Sequence, residues 1–216
     1  YGYMATMTGA EIEVSNDRYF RTSELLCCLT DTPRTNLNYY YPKISRPYRY
    51  VRFTPPPPAY PTADCRAEIA ELAFFDSVDS EEHLPSKAIY GGGPVDENPA
   101  HDIDKACDDD WLTFYYSSGP RDSIVLDLQR ASTIKKVLFV PRNDDNFITP
   151  GNVYELFYQS GVKGWISLGV QTATTNELVY RNIPEGALLW LRNLTRGKEE
   201  QVFYVENGEQ KFVGYE

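Results

Sequence analysis

Hydrophobic and polar positions along this chain fall in short runs rather than at helical spacing. The clearest runs are Ser123 to Leu128, Lys136 to Val140, Tyr154 to Tyr158, Ala187 to Leu191 and Gln201 to Val205. They are rich in β-branched and aromatic residues, which suit a pleated, half-buried surface. Turn chemistry separates them, as at Pro150-Gly151 and Ser160-Gly161. Only Lys87-Ala88 and Asp102 to Ala106 read as single helical turns. The pattern predicts an all-β sandwich or barrel.

The runs also repeat. Gly9, Glu13, Val14 and Leu26 match Gly151, Glu155, Leu156 and Leu168 at constant separation, and Tyr50-Val51-Arg52 matches Trp190-Leu191-Arg192. Glu71, Phe74 and Phe75 then match Glu200, Phe203 and Tyr204. The separation shrinks between blocks, as loop insertions require. One insertion is the Pro55 to Pro58 run, whose missing N–H groups suit an exposed loop. Nothing in residues 1–78 corresponds to residues 80–135. The predicted organisation is therefore a partial unit at 1–78 and a complete unit at 79–216. Leu25-Leu26 and Phe74-Phe75 of the partial unit would lack a partner sheet, and upstream residues of the native protein would complete it.

Composition narrows the function. A chain of 216 residues with 42% hydrophobic and 14% aromatic content has ample material for a packed core. Tyr is the dominant aromatic, so much of that surface carries a hydroxyl able to meet water or a polar ligand. A net charge of −10 repels phosphate backbones and anionic lipid, which argues against nucleic acid and membrane surfaces as partners. No apolar run approaches the ~18 residues of a spanning helix, so membrane insertion is not expected. Cys27, Cys28, Cys65 and Cys107 lack zinc-like spacing and read most simply as free thiols in the interior. Only His83 and His101 are available for imidazole acid–base chemistry, and no nucleophile, phosphate or metalloprotease motif occurs. The chain is not expected to be an enzyme.

From Ala106 onward an ordered series of motifs appears. Ala106-Cys107-Asp108-Asp109-Asp110-Trp111-Leu112-Thr113 resembles the "A-x-D-G-D-x-x-T" loop of discoidin-like domains, the coagulation factor V/VIII C-type family. Ile124 to Leu128 is similar to that family's "hydrophobic-Asp-Leu-Gly" strand, and Ile134 to Arg142 to a strand leading to an Arg. Tyr154-Glu155-Leu156, Trp165 and Glu199 to Tyr204 follow in order. Asp109 and Gln129 stand where the family has Gly. Longer blocks, Pro141 to Asn146 and Leu191 to Glu200, resemble tandem modules of Bacteroides-type bacteria similar to family 32 carbohydrate-binding modules. The resemblance implies an antiparallel jelly-roll sandwich of the galactose-binding-domain type. It also implies a secreted, periplasmic or cell-surface protein with a neighbouring catalytic domain in the intact polypeptide.

Two sites follow. Asp104, Asp108, Asp109 and Asp110 crowd four carboxylates into seven residues, which must be solvated or share a cation. The resemblance implies a structural calcium held by Ala106, Asp108, Asp110, Thr113 and Glu199 or Glu200. The second site is the loop at Arg142, Asn143, Asp144 and Asn146. Arg offers a donor fork, Asp two acceptors and Asn both, a mixture that matches sugar hydroxyls. An apolar ring would complete it, with Tyr116, Tyr115, Phe147 and Tyr90 as candidates on predicted loops. A self-bonded Asx-turn cluster is the simpler reading of the same residues. Trp165, Trp190 and Arg192 read as structural. A glycan is the leading partner, and a protein–protein or scaffold role beside an enzyme is the alternative.

Overall fold

The computed structural model describes residues 2–57 and 65–214. They form two compact units, Tyr1–Asn146 and Phe147–Glu216. The all-β class holds: every sheet is antiparallel.

The first unit is a two-sheet sandwich. Its strands are β1 (Glu11–Ser15), β2 (Glu24–Cys28), β3 (Asn38–Tyr40), β4 (Tyr48–Thr54), β5 (Glu68–Phe75), β6 (Lys87–Tyr90), β7 (Tyr115–Tyr116), β8 (Ile124–Ser132) and β9 (Lys136–Pro141). One sheet runs β2-β1-β4-β8-β6 and the other β3-β9-β5-β7. Alternation fixes which face is inside. Ile12 and Val14 of β1 and Val51 and Phe53 of β4 are buried, while Arg52 between the latter two remains half exposed. They meet Ile69, Leu72 and Phe74 of β5 and Val137 and Phe139 of β9 in one core. Phe53 and Phe139 stack across it, ring centroids 5.5 Å apart and nearly parallel. Each such ring, fully buried, contributes roughly 1.5–3 kcal/mol.

All eight residues of β5 are buried because both of its faces are covered. A register shift between Ile69 and Glu71 marks a bulge. It turns Ala70 outward, where it joins Ala73, Phe75, Leu138 and Val140 in a second apolar layer beneath Leu37, Trp111 and Phe114. Glu71 lies among them.

The expected boundary at 78/79 does not separate two bodies. Strand β4 from the first 78 residues pairs with β8, and β5 pairs with β9, so residues 79–146 supply the strands that 1–78 lack. Leu26, Phe74 and Phe75 are buried, whereas Leu25 is 53% exposed. Two smaller expectations also change. Lys87-Ala88 belong to β6 rather than a helical turn, because they pair with Asp127 and Leu126 of β8. Pro55 and Pro56 are buried and Pro57 exposed, while Pro58 lies outside the described residues. The 3-10 turn at Ile103–Ala106 forms as expected. All four cysteines are free thiols, with Cys65 buried and the others half-buried.

The second unit is a single sheet. Strands β10 (Val153–Gln159), β11 (Trp165–Thr172), β12 (Leu189–Asn193), β14 (Phe203–Glu206) and β15 (Glu209–Phe212) lie in the order β11-β10-β12-β14-β15, with β13 (Lys198–Glu199) also on β12. The sequence repeat is visible in its register. Glu13 opposes Arg52 and Ser15 opposes Tyr50 in the first unit; Glu155 opposes Arg192 and Phe157 opposes Trp190 in the second. Gly9 and Gly151 both adopt left-handed backbone, φ +92° and +89°. The copies diverge at the next edge: β4 pairs with β8, but β12 pairs with β13 and β14.

Candidate functional site

The outer face of the β3-β9-β5-β7 sheet carries the predicted residues of the first unit. At its end, β9 runs into the Arg142–Asn146 loop. The Arg142 backbone N–H donates to the Glu68 carbonyl at 3.0 Å, continuing the β5 pairing by one step. Its guanidinium reaches Asp144 through Nε at 2.8 Å and Glu68 through Nη1 at 3.2 Å. It also lies over two rings, 4.6 Å from the Phe114 centroid and 5.8 Å from that of Tyr116. Phe114 stacks with His101 as well, at 4.3 Å. Cationic guanidinium against an aromatic face and between carboxylates is a held geometry. The Arg142 side chain keeps 29% of its surface exposed.

The rest of the loop is built by Asn143, which is 2% exposed. Its side-chain amide donates to the Trp111 carbonyl at 3.0 Å. Its Oδ1 accepts the Asp145 N–H at 2.9 Å, and its carbonyl accepts the Asn146 N–H at 2.8 Å. These bonds form an Asx turn, and Asp144 and Asp145 take positive φ within it. Thus Arg142, Asp144 and Tyr116 come together, Asn146 closes the turn, and Asn143 is a buried support rather than a surface contact. Of the other aromatic candidates, Tyr115 is fully buried with its hydroxyl donating to the Gly92 carbonyl at 3.1 Å. Tyr115 and Tyr116 form the short strand β7 instead of a loop, and Tyr90 ends β6, 67% exposed. Phe147 opens the second unit.

The 106–113 loop is tightly self-bonded. Both carboxylate oxygens of Asp108 accept the Thr113 hydroxyl at 3.0 Å, and Asp108 also accepts the Asp110 N–H and pairs with Lys105 at 3.2 Å. The Asp110 carbonyl accepts the Thr113 N–H, and its carboxylate the Leu112 N–H. Ala106 is buried at the end of the 3-10 turn. Asp109 sits at φ +62°, the left-handed conformation that glycine takes at no steric cost. Glu199 and Glu200 stand in the second unit, where they pair with Arg192 at 3.5 Å and Lys198 at 3.2 Å. The acidic strand residue beside the loop is Glu71, whose Oε2 accepts the Asp109 N–H at 2.9 Å. Glu71 was legible only through the repeat, which matches it to Glu200. Among the described residues, no group of three or more His, Cys, Asp or Glu side chains is arranged to hold a metal ion.

Glu71 forms part of the floor of an open groove of about 260 Å³. Tyr39, Phe75 and Trp111 supply rings, His83 an imidazole, and Asp109 and Lys136 supply charge. His83 Nε2 lies 2.9 Å from Asp109 Oδ1, and Nδ1 lies 3.0 Å from the Leu84 carbonyl. Lys136 Nζ sits 4.3 Å from the Phe75 ring centroid and donates to the Ser80 carbonyl. Burial pushes the Glu71 carboxyl up to about 8, and the negative charges of Asp109 and Asp108 add to the rise. Sequence reading missed this groove because its residues come from β3, β5, β9 and two loops.

No protein-family profile, curated protein or solved structure matches the chain.

Proposed function

We propose that the chain is a non-catalytic carbohydrate-binding module, of jelly-roll type, within a larger secreted or surface protein. The observation that carries this reading is the patch at Arg142: a partly exposed donor fork, held by Glu68 and Asp144, over the Phe114 and Tyr116 rings. Sugars present alternating hydroxyl edges and C–H faces. Such a patch offers donors and acceptors beside a ring in one place. The ordered motifs that resemble discoidin-like modules support the same reading.

Calcium at the 106–113 loop belongs to the proposal. The donor types suit a hard cation, although the described side chains are not gathered round one point: the loop is rich in carboxylate and carbonyl oxygens, and a buried carboxyl from β5 stands against it. Ala106, Asp108, Asp110 and Thr113 would hold the ion, with Glu71 in the part first given to Glu199 or Glu200. A bound ion would offset the mutual repulsion of these carboxylates and fix the loop to the sheet.

The test is a glycan array on the whole chain, followed by calorimetric titration of any hit. Arg142→Ala is expected to abolish titratable binding while the melting curve shows a folded domain. Unchanged affinity in that variant removes the site from the loop. An array without hits, together with co-purification of a protein partner, overturns the carbohydrate reading.

A further inference from the structure

One face of the second unit's sheet carries three rings in contact. Phe157 on β10 opposes Trp190 on β12 and Ser167 on β11, and Gln159 opposes Trp165. Residues two apart on a strand share a face, so Glu155, Phe157 and Gln159 lie together with Trp165, Ser167, Trp190 and Arg192. The rings touch: Phe157 to Trp190 at 5.5 Å and Trp165 to Trp190 at 5.6 Å between centroids. Trp165 is 37% exposed.

The repeat supplies an internal control. At the cross-strand position of Phe157 and Trp190, the first unit has Ser15 and Tyr50. There the 16–23 connection folds back over the face. Ser15 is buried and donates to the Thr22 carbonyl at 2.6 Å, and the Phe20 ring packs under Arg52 at 4.5 Å. In the second unit the shorter 160–164 turn provides no such ring. The equivalent arginine, Arg192, lies over Trp190 at 5.3 Å instead. The first unit thus seats a ring of its own chain on this face; the second leaves aromatics open on the same scaffold.

We infer that the Phe157–Trp165–Trp190 face is a second saccharide platform, on which pyranose rings stack while the polar rim takes their hydroxyls. This rests on the carbohydrate reading and adds a site to it. The rim suits hydroxyls rather than a dry protein contact. Arg192 donates, and the Glu155 carboxylate accepts and already takes the Ser167 hydroxyl at 2.7 Å. The mixture of broad rings with both polarities is the chemistry of a sugar chain lying flat.

The whole chain is to be titrated with neutral hexasaccharides of glucose, mannose and galactose, following the indole N–H resonances of the three tryptophans. Shifts of the Trp165 and Trp190 signals at saturation are expected. The Trp165→Ala/Trp190→Ala double variant is expected to weaken hexasaccharide binding about tenfold, near the value of one lost ring contact. Trp190→Phe, which keeps a packed ring, is expected to bind more tightly than the double variant. Binding of undiminished affinity in the double variant that vanishes in Arg142→Ala overturns the platform and leaves the carbohydrate reading intact. Binding of none of the three probes by the unaltered chain, with unmoved indole signals, overturns both. A parent chain that self-associates, beside a double variant that is monomeric and binds saccharide as tightly, assigns the face to a protein contact and overturns the platform alone.

Discussion

The side-chain amide of Asn143 donates a 3.0 Å hydrogen bond to the backbone carbonyl of Trp111. That bond joins two neighbouring features of the outer sheet face. On one side the Asx turn of Asn143 positions Arg142 and Asp144; on the other, Trp111 lines the groove that contains Glu71. The donor is buried, so its loss removes the bond that ties the loop to the Trp111 backbone. Asn143→Ala is expected to cost about 1–3 kcal/mol of stability by urea unfolding. It is also expected to weaken any ligand held by Arg142. A stability change below about 0.5 kcal/mol would show that the bond is replaced by water.

The pH dependence of stability turns on Glu71. Its carboxyl rises from an ordinary 4.5 to about 8 in the folded protein, through burial first and then through Asp109 and Asp108. The folded state therefore holds this proton more tightly than the unfolded chain does. The stabilising contribution is full below pH 4.5, declines as pH rises toward 8, and is flat above it. In chelator, Glu71→Gln is expected to remove the downward slope between those limits, measured by urea midpoints at several pH values. An unchanged slope would assign it to other groups.

Calcium bound as proposed would act on the same residues with the opposite dependence. An ion that binds only the folded state stabilises by mass action, about 2.7 kcal/mol at a hundredfold excess over Kd. Its ligands must be deprotonated, so the rise in Tm on adding calcium is expected to grow from pH 6 to pH 8. Asp108→Asn and Glu71→Gln are each expected to reduce it. A Tm indifferent to calcium and to chelator at pH 8 would remove the metal from the proposal.

Strand identity was largely legible, because alternation over four to eight residues is a local signal. Ile124, Lys136, Tyr154 and Leu189 all lie in strands within the predicted runs. The short pieces were not: β7 has only Tyr115 and Tyr116, and it exists because Ile69 and Glu68 present a free edge. The domain boundary failed for a related reason. The repeat matches β1 and β4 to β10 and β12 in register, but its last block does not: β5 pairs with β9 in the other sheet, whereas β14 pairs with β12. A sequence repeat does not specify which half receives the intervening strands. Pairing of Val51 with Leu126 and of Leu72 with Phe139 decides that, across long separations. The Arg142 loop was legible as chemistry, whereas the burial of Asn143 and the role of Glu71 depend on neighbours that only folding brings together.

One departure from the discoidin-like pattern gives a clean stability test. Gln129, where that family has Gly, sits at φ +64° just inside β8. Its N–H donates to Asp127 Oδ1 at 2.7 Å, and Asp127 in turn holds Arg49 through two 2.8 Å contacts. The backbone thus needs the left-handed conformation to keep a useful bond, while the Gln129 side chain is exposed. A non-glycine residue there bears roughly 1–2 kcal/mol of steric cost. Glycine relieves that cost and keeps the N–H, but it adds chain entropy to the unfolded state. The steric relief is the larger effect, so Gln129→Gly is expected to stabilise the first unit by up to about 1 kcal/mol. Gln129→Ala, which retains a Cβ, is expected to leave stability nearly unchanged. Denaturant midpoints of the two variants beside the parent chain decide it: a destabilised glycine variant would show that the Gln129 side chain contributes contacts worth more than the strain it imposes.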